Sequence, residues 1–373
     1  MRHVVVAGLS MIATLSACAP EAEQGAQPRN RAEAVEIVEG LRRIVSPEGV
    51  ERLQTVRLGG IDQWISIRGA DRRNPILLYL HGGPGYVSMP TGWYFQRGWE
   101  DFFTVVNWDQ RGAGKTYTEN ASRAALETLT IDRFVADAEE LVTWLRREYD
   151  RDRIFILGHS WGSLVGVTLA QRHPEWLHAY IGMGQITDMM ESERRGWRFA
   201  LEAARADKNA EAVAALEAIA PYAEDTPPDI KALLVQRRWA GHYGGAIYRR
   251  VDFSEFTRAV SLAPEYSDDD VRRVWVGNQL SVERLFPELL ARGDLTGITR
   301  LECPVILLSG RHDQLVSSSA AAEWFERLRA PSKTLIWFER SAHEPANEEP
   351  GRTLMALVTH AWPIAERAGD VPR

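Results

Sequence analysis

The chain has 373 residues, and its 44 Lys and Arg against 51 Asp and Glu give a formal charge of −7. With 45% hydrophobic and 25% charged residues, it has the composition of a globular domain, which excludes a disordered chain, a collagen-like repeat and a polytopic membrane protein. The mild acidity disfavours a nucleic-acid binder, and the length suggests two domains or one large domain with an insertion.

The first predicted element is a signal peptide, indicated by a charged start, an apolar run from Val4 to Leu15 and small residues before a break. The apolar run is shorter than the roughly 20 residues that span a bilayer. Leu15-Ser16-Ala17-Cys18 resembles the bacterial lipoprotein box, which implies a signal peptide over residues 1–17 and a lipid on Cys18. Ordinary cleavage after Ala17 or Ala19, with no lipid, is the alternative.

Residues 18–49 are interpreted as a tether and a pre-core segment. Ala19–Asn30 is polar and has almost no large apolar residue, so it is expected to be a flexible tether. The implied location is a bacterial cell envelope, where the exported chain is anchored to a membrane at Cys18 and faces the periplasm. The other cysteine, Cys303, is expected to be a small buried residue. Two cysteines are too few for a disulfide framework or a cysteine-based zinc site.

After residue 50, short and nearly continuously apolar runs predict strands buried on both faces of a sheet. Two further segments flank Gly59-Gly60 and predict a hairpin. The predicted strands are Gln54–Leu58, Gln63–Arg68, Ile76–Leu80, Thr104–Trp108, Ile154–Leu157, Ala179–Met183, Val305–Ser309 and Thr334–Phe338. Helical spacing predicts helices over Asp132–Tyr149, after Ser160, near Ser318–Leu328 and near Glu349–Ala365.

Residues 188–295 are different, because they are rich in Ala, Glu and Arg at helical spacing and have few strand signals. A strand–helix pattern interrupted by a helical block predicts an α/β core with an inserted helical cap. The core then consists of residues 50–187 and 296–366, with a mostly parallel central sheet flanked by helices.

The strongest local signal is Gly158-His159-Ser160-Trp161-Gly162, at the end of a predicted strand and the start of a predicted helix. The Gly-x-Ser-x-Gly pattern in this context is typical of a nucleophile elbow, where a sharp turn presents a Ser hydroxyl above the sheet edge. Ser160 is therefore the predicted nucleophile. A glycine-containing turn with an incidental Ser is the alternative.

A Ser hydroxyl is a weak nucleophile and needs a base that an acid orients. Asp313 and His343 each follow a predicted strand, in the chain order Ser, acid, His that suits this fold. We predict that Asp313 orients His343 and that His343 takes the Ser160 proton. The alternatives are Asp313 as a helix cap, His343 as a loop residue, and His312 as the base.

The glycine-rich loop His81–Gly85 follows the strand Ile76–Leu80 and can present backbone N–H groups to a developing oxyanion. The N–H groups of Gly83 and Trp161 are the predicted oxyanion hole. A phosphate-binding loop is the alternative, but the loop lacks the Gly-x-x-x-x-Gly-Lys-Ser/Thr pattern. This chemistry implies no metal ion and no organic cofactor.

Three motifs resemble the prolyl aminopeptidase (proline iminopeptidase) branch of the α/β-hydrolase superfamily: His81-Gly82-Gly83-Pro84-Gly85, residues 107–114 (Asn-Trp-Asp-Gln-Arg-Gly-Ala-Gly) and residues 158–163 (Gly-His-Ser-Trp-Gly-Ser). Gly310-Arg311-His312-Asp313 and His343 follow at fitting distances. The resemblance implies an α/β-hydrolase fold, and it implies that Asp109 and Arg111 are structural supports near the site.

The resemblance also implies that carboxylates from the cap bind the substrate's free α-amine. Glu191 or Glu193 is the candidate for an acid early in the cap, and a solvated helix face is the alternative for both. A later Trp-x-x-Trp-Glu pattern of the family maps onto a segment that carries Asn278 and Gln279 instead of the second Trp and the Glu. A neutral amide attracts an ammonium far less than a carboxylate does.

The expected function is a serine hydrolase that cleaves an acyl bond, acting as an aminopeptidase on the N-terminal residue of short peptides or amino-acid amides. An esterase or amidase on small acyl substrates is the alternative, and a non-catalytic binding protein on the same fold is the remote one. The expected partners are the substrate and, through the lipid, a membrane, with no nucleic acid. The sequence predicts no oligomeric state.

Overall fold

The computed structural model describes residues 27–372, apart from the side chains at positions 123 and 124. The predicted signal peptide, Cys18 and the first part of the predicted tether lie outside the described residues. In the described part of the chain, no helix is both long enough and apolar enough to cross a membrane.

The central element is a single eight-stranded sheet. Its strands are β1 (Val50–Leu58), β2 (Ile61–Gly69), β3 (Ile76–Leu80), β4 (Thr104–Trp108), β5 (Ile154–His159), β6 (Leu177–Met183), β7 (Val305–Gly310) and β8 (Lys333–Phe338). Their order across the sheet is β1-β2-β4-β3-β5-β6-β7-β8. The β1–β2 hairpin and the β2–β4 pair are antiparallel, and every other pair is parallel.

The apolar strands at the centre of the sheet are buried on both faces, as their composition predicts. In β3, Ile76, Leu78 and Leu80 pack into one hydrophobic cluster, whereas Leu77 and Tyr79 pack into a second cluster. Successive side chains of a strand point to opposite faces, so the two clusters are the cores on the two sides of the sheet. Both cores are covered by helices, which gives the α/β layering expected from the sequence.

Fifteen α-helices occur within the described residues. They are α1 (Arg31–Arg42), α2 (Gly92–Phe95), α3 (Gly114–Glu119), α4 (Arg123–Leu126), α5 (Ile131–Glu148), α6 (Trp161–Arg172), α7 (Met189–Ala206), α8 (Ala210–Glu217), α9 (Ile230–His242), α10 (Ser254–Ala259), α11 (Asp268–Arg292), α12 (Ser318–Arg327), α13 (Pro345–Glu348), α14 (Pro350–Ala356) and α15 (Trp362–Arg367). Short 3₁₀ helices lie at Met89–Thr91, Trp99–Asp101, Pro174–Trp176 and Val260–Leu262, and a π-helical turn lies at Leu357–Ala361.

Helices α7 to α11 form an insertion between β6 and β7. An antiparallel bridge joins Asp188 to Asp294, where the chain leaves the sheet and where it returns. Ser281 of α11 donates a hydrogen bond to the Gly112 carbonyl at 3.0 Å, which ties the insertion to the loop after β4. The insertion therefore lies over the ends of the strands that carry the predicted site.

Helix α1 lies in the segment to which the sequence assigned no regular structure. Arg31 donates hydrogen bonds to the carbonyls of Ala263 (3.2 Å) and Tyr266 (2.6 Å), just before α11. Arg42, at the other end of α1, pairs with Glu265 at 2.6 Å. These contacts join the N-terminal helix to a part of the insertion more than 220 residues away.

The C-terminal helix predicted near Glu349–Ala365 is divided into α14, the π-helical turn and α15, and the short helix α13 precedes it. Pro345 and Pro350 stand at the first positions of α13 and α14, where the missing N–H of proline is tolerated. Pro363 is the second residue of α15, which begins directly after the π-helical turn. A proline inside a continuous helix would break the hydrogen-bond ladder, so the chain restarts the helix at each one.

Candidate active site

Ser160 occupies a sharp turn between β5 and α6, as the sequence predicts. Its backbone has φ 51° and ψ −117°, an unfavourable conformation for a residue with a side chain. A Cβ atom at Gly162 would clash with the carbonyls of Leu80 and His81, and one at Gly158 would clash with the backbone of Gly162. Both glycines are therefore required by close backbone approach around Ser160.

His343 and Asp313 come together after β8 and β7. His343 Nδ1 lies 2.8 Å from Asp313 Oδ2, and both side chains are buried. Asp313 Oδ1 accepts the backbone N–H groups of Leu315 and Val316, each at 3.0 Å. A hydrogen on Nδ1 leaves His343 Nε2 free to accept a proton. Helix α12 is capped by Ser317, so Asp313 orients the histidine and is not the N-cap of that helix.

The three buried histidines of this region differ in their pKa values. Burial lowers the pKa of His343, but the charge and hydrogen bond of Asp313 outweigh burial and leave this pKa above its usual value. Burial lowers the pKa of His159 and lowers that of His81 to about 4. His81 and His159 are therefore neutral near pH 7, and His343 is the member of the group whose basicity is raised.

Ser160 and His343 line the same cavity, although no hydrogen bond joins Ser160 Oγ to His343 within the described part of the chain. Such bonds often tighten only when a substrate is bound. His312, the alternative base, stacks on Tyr248 with ring centroids 4.4 Å apart, and its ring approaches the Glu339 carbonyl at 3.3 Å. His312 does not line the cavity of Ser160.

The two predicted oxyanion donors lie near Ser160, since Trp161 follows it in the chain and Gly83 lines the same cavity. Gly83 lines the cavity and has φ 118°, and a Cβ atom there would clash with the backbone nitrogen atoms of Gly85 and Tyr86. The Trp161 N–H lies in the first turn of α6, where N–H groups have no intrahelical acceptor. Both N–H groups are thus available for a negatively charged oxygen near Ser160.

Gln110 connects these two parts of the site and was not singled out from the sequence. Its Oε1 accepts the indole N–H of Trp161 at 3.0 Å, and its Nε2 donates to the His81 carbonyl at 3.3 Å. The residue lies inside the quoted motif at 107–114, which is the signal that marks it. Gln110 holds the elbow helix and the glycine-rich loop in register.

Asp109 and Arg111 have the supporting positions that the resemblance implies, and neither lines the cavity. Arg111 is buried and bonded to Asp137 at 2.9 Å. Asp109 accepts the N–H of Lys115 at 2.8 Å and the hydroxyl of Tyr266. Burial raises the pKa of Asp109 to about 7 despite these hydrogen bonds. Asp109 thereby joins the loop after β4 to the segment before α11.

The cavity around Ser160 has a volume of about 400 Å³ and lies between the sheet and the insertion. Most of its wall is apolar, and the apolar lining includes Ile186, Met189, Leu233, Phe253, Phe286 and Leu289. Within the described residues, the ionisable side chains along this wall are His159, His343, Tyr86, Arg237 and Glu344. A cavity of this kind suits a largely apolar substrate with a few polar groups.

The two carboxylates expected to bind an amine do not line this cavity. Glu191 pairs with Arg194 at 2.8 Å and with Arg195 at 2.7 Å on the surface of α7. Glu193 is fully buried and pairs with Arg237. The structure therefore engages both side chains in ion pairs of the insertion and does not bring either one to Ser160.

Of the two amides that stand in the later segment, Asn278 lines the cavity and donates to the Pro84 carbonyl at 3.0 Å. Gln279 does not line the cavity, and its side-chain amide donates to Glu283 at 2.8 Å.

Sequence reasoning did not identify Arg237 and Glu344 as lining residues. Glu344 follows His343 directly, which is a usable signal, whereas Arg237 stands in α9 without a motif. No group of three or more His, Cys, Asp or Glu side chains suited to a metal ion occurs in the described residues.

Comparison with known proteins shows one family model, described as serine aminopeptidase, S33, that matches residues 95–350. "Probable aminopeptidase YbaC" of Bacillus subtilis (strain 168) is 28% identical over 321 residues, covering 85% of this chain and 98% of that protein. "Probable proline iminopeptidase" of Leptolyngbya boryana is 36% identical over 99 residues, which are 26% of this chain and 28% of that protein.

Among solved structures, the proline iminopeptidase of Mycobacterium smegmatis superposes with a TM-score of 0.57 at 22% identity, covering 85% of this chain and 100% of that one. This likeness concerns the fold. The α/β-hydrolase fold expected from the sequence, with a mostly parallel sheet and flanking helices, is confirmed.

Proposed function

We propose that this chain, which belongs to the serine aminopeptidase S33 family, removes the N-terminal residue of short peptides or amino-acid amides. The observation that carries the proposal is the common cavity of Ser160 and His343, with Asp313 bonded to the far side of the His343 ring at 2.8 Å. The similarity to an aminopeptidase over 85% of the chain supports it.

In the proposed mechanism, Ser160 Oγ attacks the scissile carbonyl while His343 Nε2 takes its proton. Asp313 holds the ring and stabilises the imidazolium that forms. The N–H groups of Gly83 and Trp161 bind the oxyanion, each contributing roughly 3–4 kcal/mol in the transition state. His343 then returns the proton to the leaving amine. A water molecule next attacks the acyl-enzyme while His343 takes its proton, and His343 returns that proton to Ser160 Oγ as the bond to the acyl group breaks. No metal ion or organic cofactor enters these steps.

The cavity favours a substrate with a bulky apolar group. Its volume of about 400 Å³ and its apolar wall suit a large apolar N-terminal side chain or leaving group better than they suit a small polar one. An esterase or amidase on apolar acyl substrates is the second candidate. The observation that favours it is the position of Glu191 and Glu193, which are both engaged in ion pairs away from the cavity.

A substrate panel distinguishes the two functions. We expect the enzyme to cleave arylamides of alanine, leucine and proline, and we expect N-acetylation to lower kcat/KM at least tenfold. An enzyme that cleaves p-nitrophenyl esters and is indifferent to N-acetylation is an esterase or amidase instead. Labelling with a fluorophosphonate probe, absent from Ser160→Ala, identifies the nucleophile. No labelling of the purified wild-type protein would contradict the serine hydrolase assignment of both candidates.

We also propose that the chain is exported and anchored to a bacterial membrane by a lipid on Cys18, with residues 188–295 acting as the cap over the site. The support for the anchor is the lipoprotein-like sequence Leu15-Ser16-Ala17-Cys18 and the polar stretch after it. Expressed in a bacterial host, the wild-type chain is expected in the membrane fraction and the Cys18→Ser variant in the soluble fraction. Equal membrane association of the two proteins would contradict the anchor.

A further inference from the structure

The cavity wall carries a carboxylate, Glu344, that is only partly satisfied by the protein. The residue is 4% exposed. Its Oε2 accepts the Asn347 amide at 2.8 Å, but no described residue donates a hydrogen bond to Oε1. His159 Nε2 lies 4.0 Å from Oε1, yet it is already engaged with the His343 carbonyl at 2.9 Å. One carboxylate oxygen is therefore left without a donor at the edge of an apolar cavity.

Arg237 in the cavity wall and Asp313 beside His343 are already engaged by other groups. Arg237 pairs with Glu193, and its Nη1 donates to Gln236 at 2.9 Å. Glu193 is fully buried, and burial raises its pKa against the opposing effect of Arg237. Asp313 is bonded to His343 and to two backbone N–H groups. Among the described residues, no Lys or Arg side chain pairs with Glu344, and its neighbour His159 has a lowered pKa. A buried carboxylate is unfavourable unless a donor or cation meets it.

The Glu344 carboxylate is also fixed in place. Its backbone N–H donates to Glu348 at 3.0 Å, and Asn347 holds Oε2 from α13. Tyr86, which directly follows the glycine-rich loop, lies close enough to feel the Glu344 charge. Burial raises the pKa of Tyr86, and the Glu344 charge raises it further to a lesser degree. The carboxylate is therefore near both the elbow and the loop that carries the predicted oxyanion donors.

We infer that Glu344 determines specificity by binding the α-ammonium group of the substrate through Oε1. In an aminoacyl substrate one carbon separates the ammonium from the scissile carbonyl, so the group that binds it must lie beside the nucleophile. Glu344 meets this condition, because its Oε1 lies 4.0 Å from Nε2 of His159, the residue before Ser160, and because it follows His343 directly in the wall of the same cavity. The inference rests on the proposed aminopeptidase function, and it moves charge recognition from the insertion to the loop after β8.

The test compares alanine p-nitroanilide with N-acetylalanine p-nitroanilide in the wild type and in Glu344→Gln. Gln has the same shape, and its oxygen can still accept the Asn347 amide, so the loop can keep its structure. We expect the ratio of kcat/KM for the free amine to that for the acetylated substrate to fall about 10- to 100-fold, mainly through KM, as for the loss of a charge-assisted hydrogen bond. Glu344→Asp should retain an intermediate ratio.

A pH series adds a readout that a structural role would not change. In the wild type the preference for the free amine should decline as the pH rises through about 8, where an α-amino group loses its proton. In Glu344→Gln the preference should be low at every pH. Glu326→Gln, which changes an exposed carboxylate of α12 away from the cavity, is the matched control and should behave like the wild type.

Two outcomes would overturn the inference alone: a wild-type preference that Glu344→Gln keeps within about twofold, or a preference that Glu191→Gln abolishes instead. Either would leave the aminopeptidase function standing and move the amine site elsewhere. A wild type that cleaves esters and ignores the free amine would instead overturn the aminopeptidase function and, with it, the role of Glu344.

Discussion

Replacing Asp313 by Asn tests the triad sharply, because the structure fixes the direction in which the new amide must point. Asp313 Oδ1 accepts the N–H groups of Leu315 and Val316, each at 3.0 Å. An Asn with its NH2 group on that side would leave both donors unpaired, at a cost of about 1–3 kcal/mol each. The amide oxygen therefore stays with the two N–H groups, and the NH2 group faces His343.

This orientation forces the His343 ring into the other tautomer. Nδ1 must accept from the amide, so Nε2 carries the proton and cannot take one from Ser160. We expect kcat to fall about 10³- to 10⁴-fold, which corresponds to about 4–5.5 kcal/mol of transition-state stabilisation. The fold should be retained, because Asn has the shape of Asp and keeps the Oδ1 contacts.

The pH profile gives an independent readout. In the wild type, burial lowers the pKa of His343 but Asp313 raises it more, so this pKa lies above its usual value. Only neutral His343 accepts a proton, so activity should be lost as the pH falls through a midpoint higher than that of an ordinary histidine. Asp313→Asn removes the carboxylate charge and should move this midpoint to lower pH.

The assay is hydrolysis of a p-nitrophenyl ester between about pH 5 and 9, with circular dichroism to verify folding. His312→Ala is the matched control, because His312 stacks on Tyr248 outside the cavity and should keep wild-type activity. The reasoning fails if Asp313→Asn keeps more than a tenth of the wild-type kcat, or if its acid midpoint does not move.

Three further changes test the oxyanion loop and the supports. Gly83→Ala should lower kcat at least 100-fold, because φ is 118° and the added Cβ would clash with the Gly85 nitrogen and displace the Gly83 N–H. Steady-state kinetics on the ester measures kcat, and near-wild-type activity would contradict the role of Gly83 as an oxyanion donor. Asp109 has its pKa raised to about 7 by burial, so the folded state binds the proton more tightly and the wild type should lose stability as the pH rises from about 4 to about 7. Asp109→Asn should remove up to about 4 kcal/mol of this pH dependence in urea unfolding, and an unchanged slope would refute it. Arg111→Met should lower the free energy of unfolding by about 3 kcal/mol, because it leaves buried Asp137 with the half-buried Arg133 as its remaining cation. Urea unfolding at pH 7 measures this loss, and a change below about 1 kcal/mol would argue against it.

The sequence was most informative where local pattern and chemistry coincide. The apolar runs at 76–80 and 104–108 match β3 and β4 at both ends, because strands buried on both faces are apolar throughout. By contrast, β1 begins at Val50 and not at the predicted Gln54. Residues 51–53 at its start are all exposed and show no apolar alternation, and only the pairing with β2 extends the strand to Val50.

The contacts that decide which residues line the cavity were beyond the sequence. Glu193 and Arg237 are 44 positions apart, and only folding shows that they neutralise each other. Helix α1 likewise depends on Arg31 and Arg42 reaching residues more than 220 positions away. Side-chain pairing of this kind leaves no local periodicity, so an acid early in the insertion remained a candidate until its partner was known.

These pairings divide the recognition of substrate between two parts of the chain. The insertion contributes much of the apolar wall, including Leu233 and Phe286, and its Arg237, which also lines the cavity, is paired with Glu193. The core contributes the proposed reacting groups and the carboxylate of Glu344, which pairs with no Lys or Arg of the described residues. Changes in the insertion should therefore alter the preferred size of the side chain, whereas preference for a free amine should follow the loop after β8. An ion pair in the wall has little net charge and therefore attracts a charged substrate only weakly. A carboxylate without a cation, close to Ser160, attracts an ammonium group strongly.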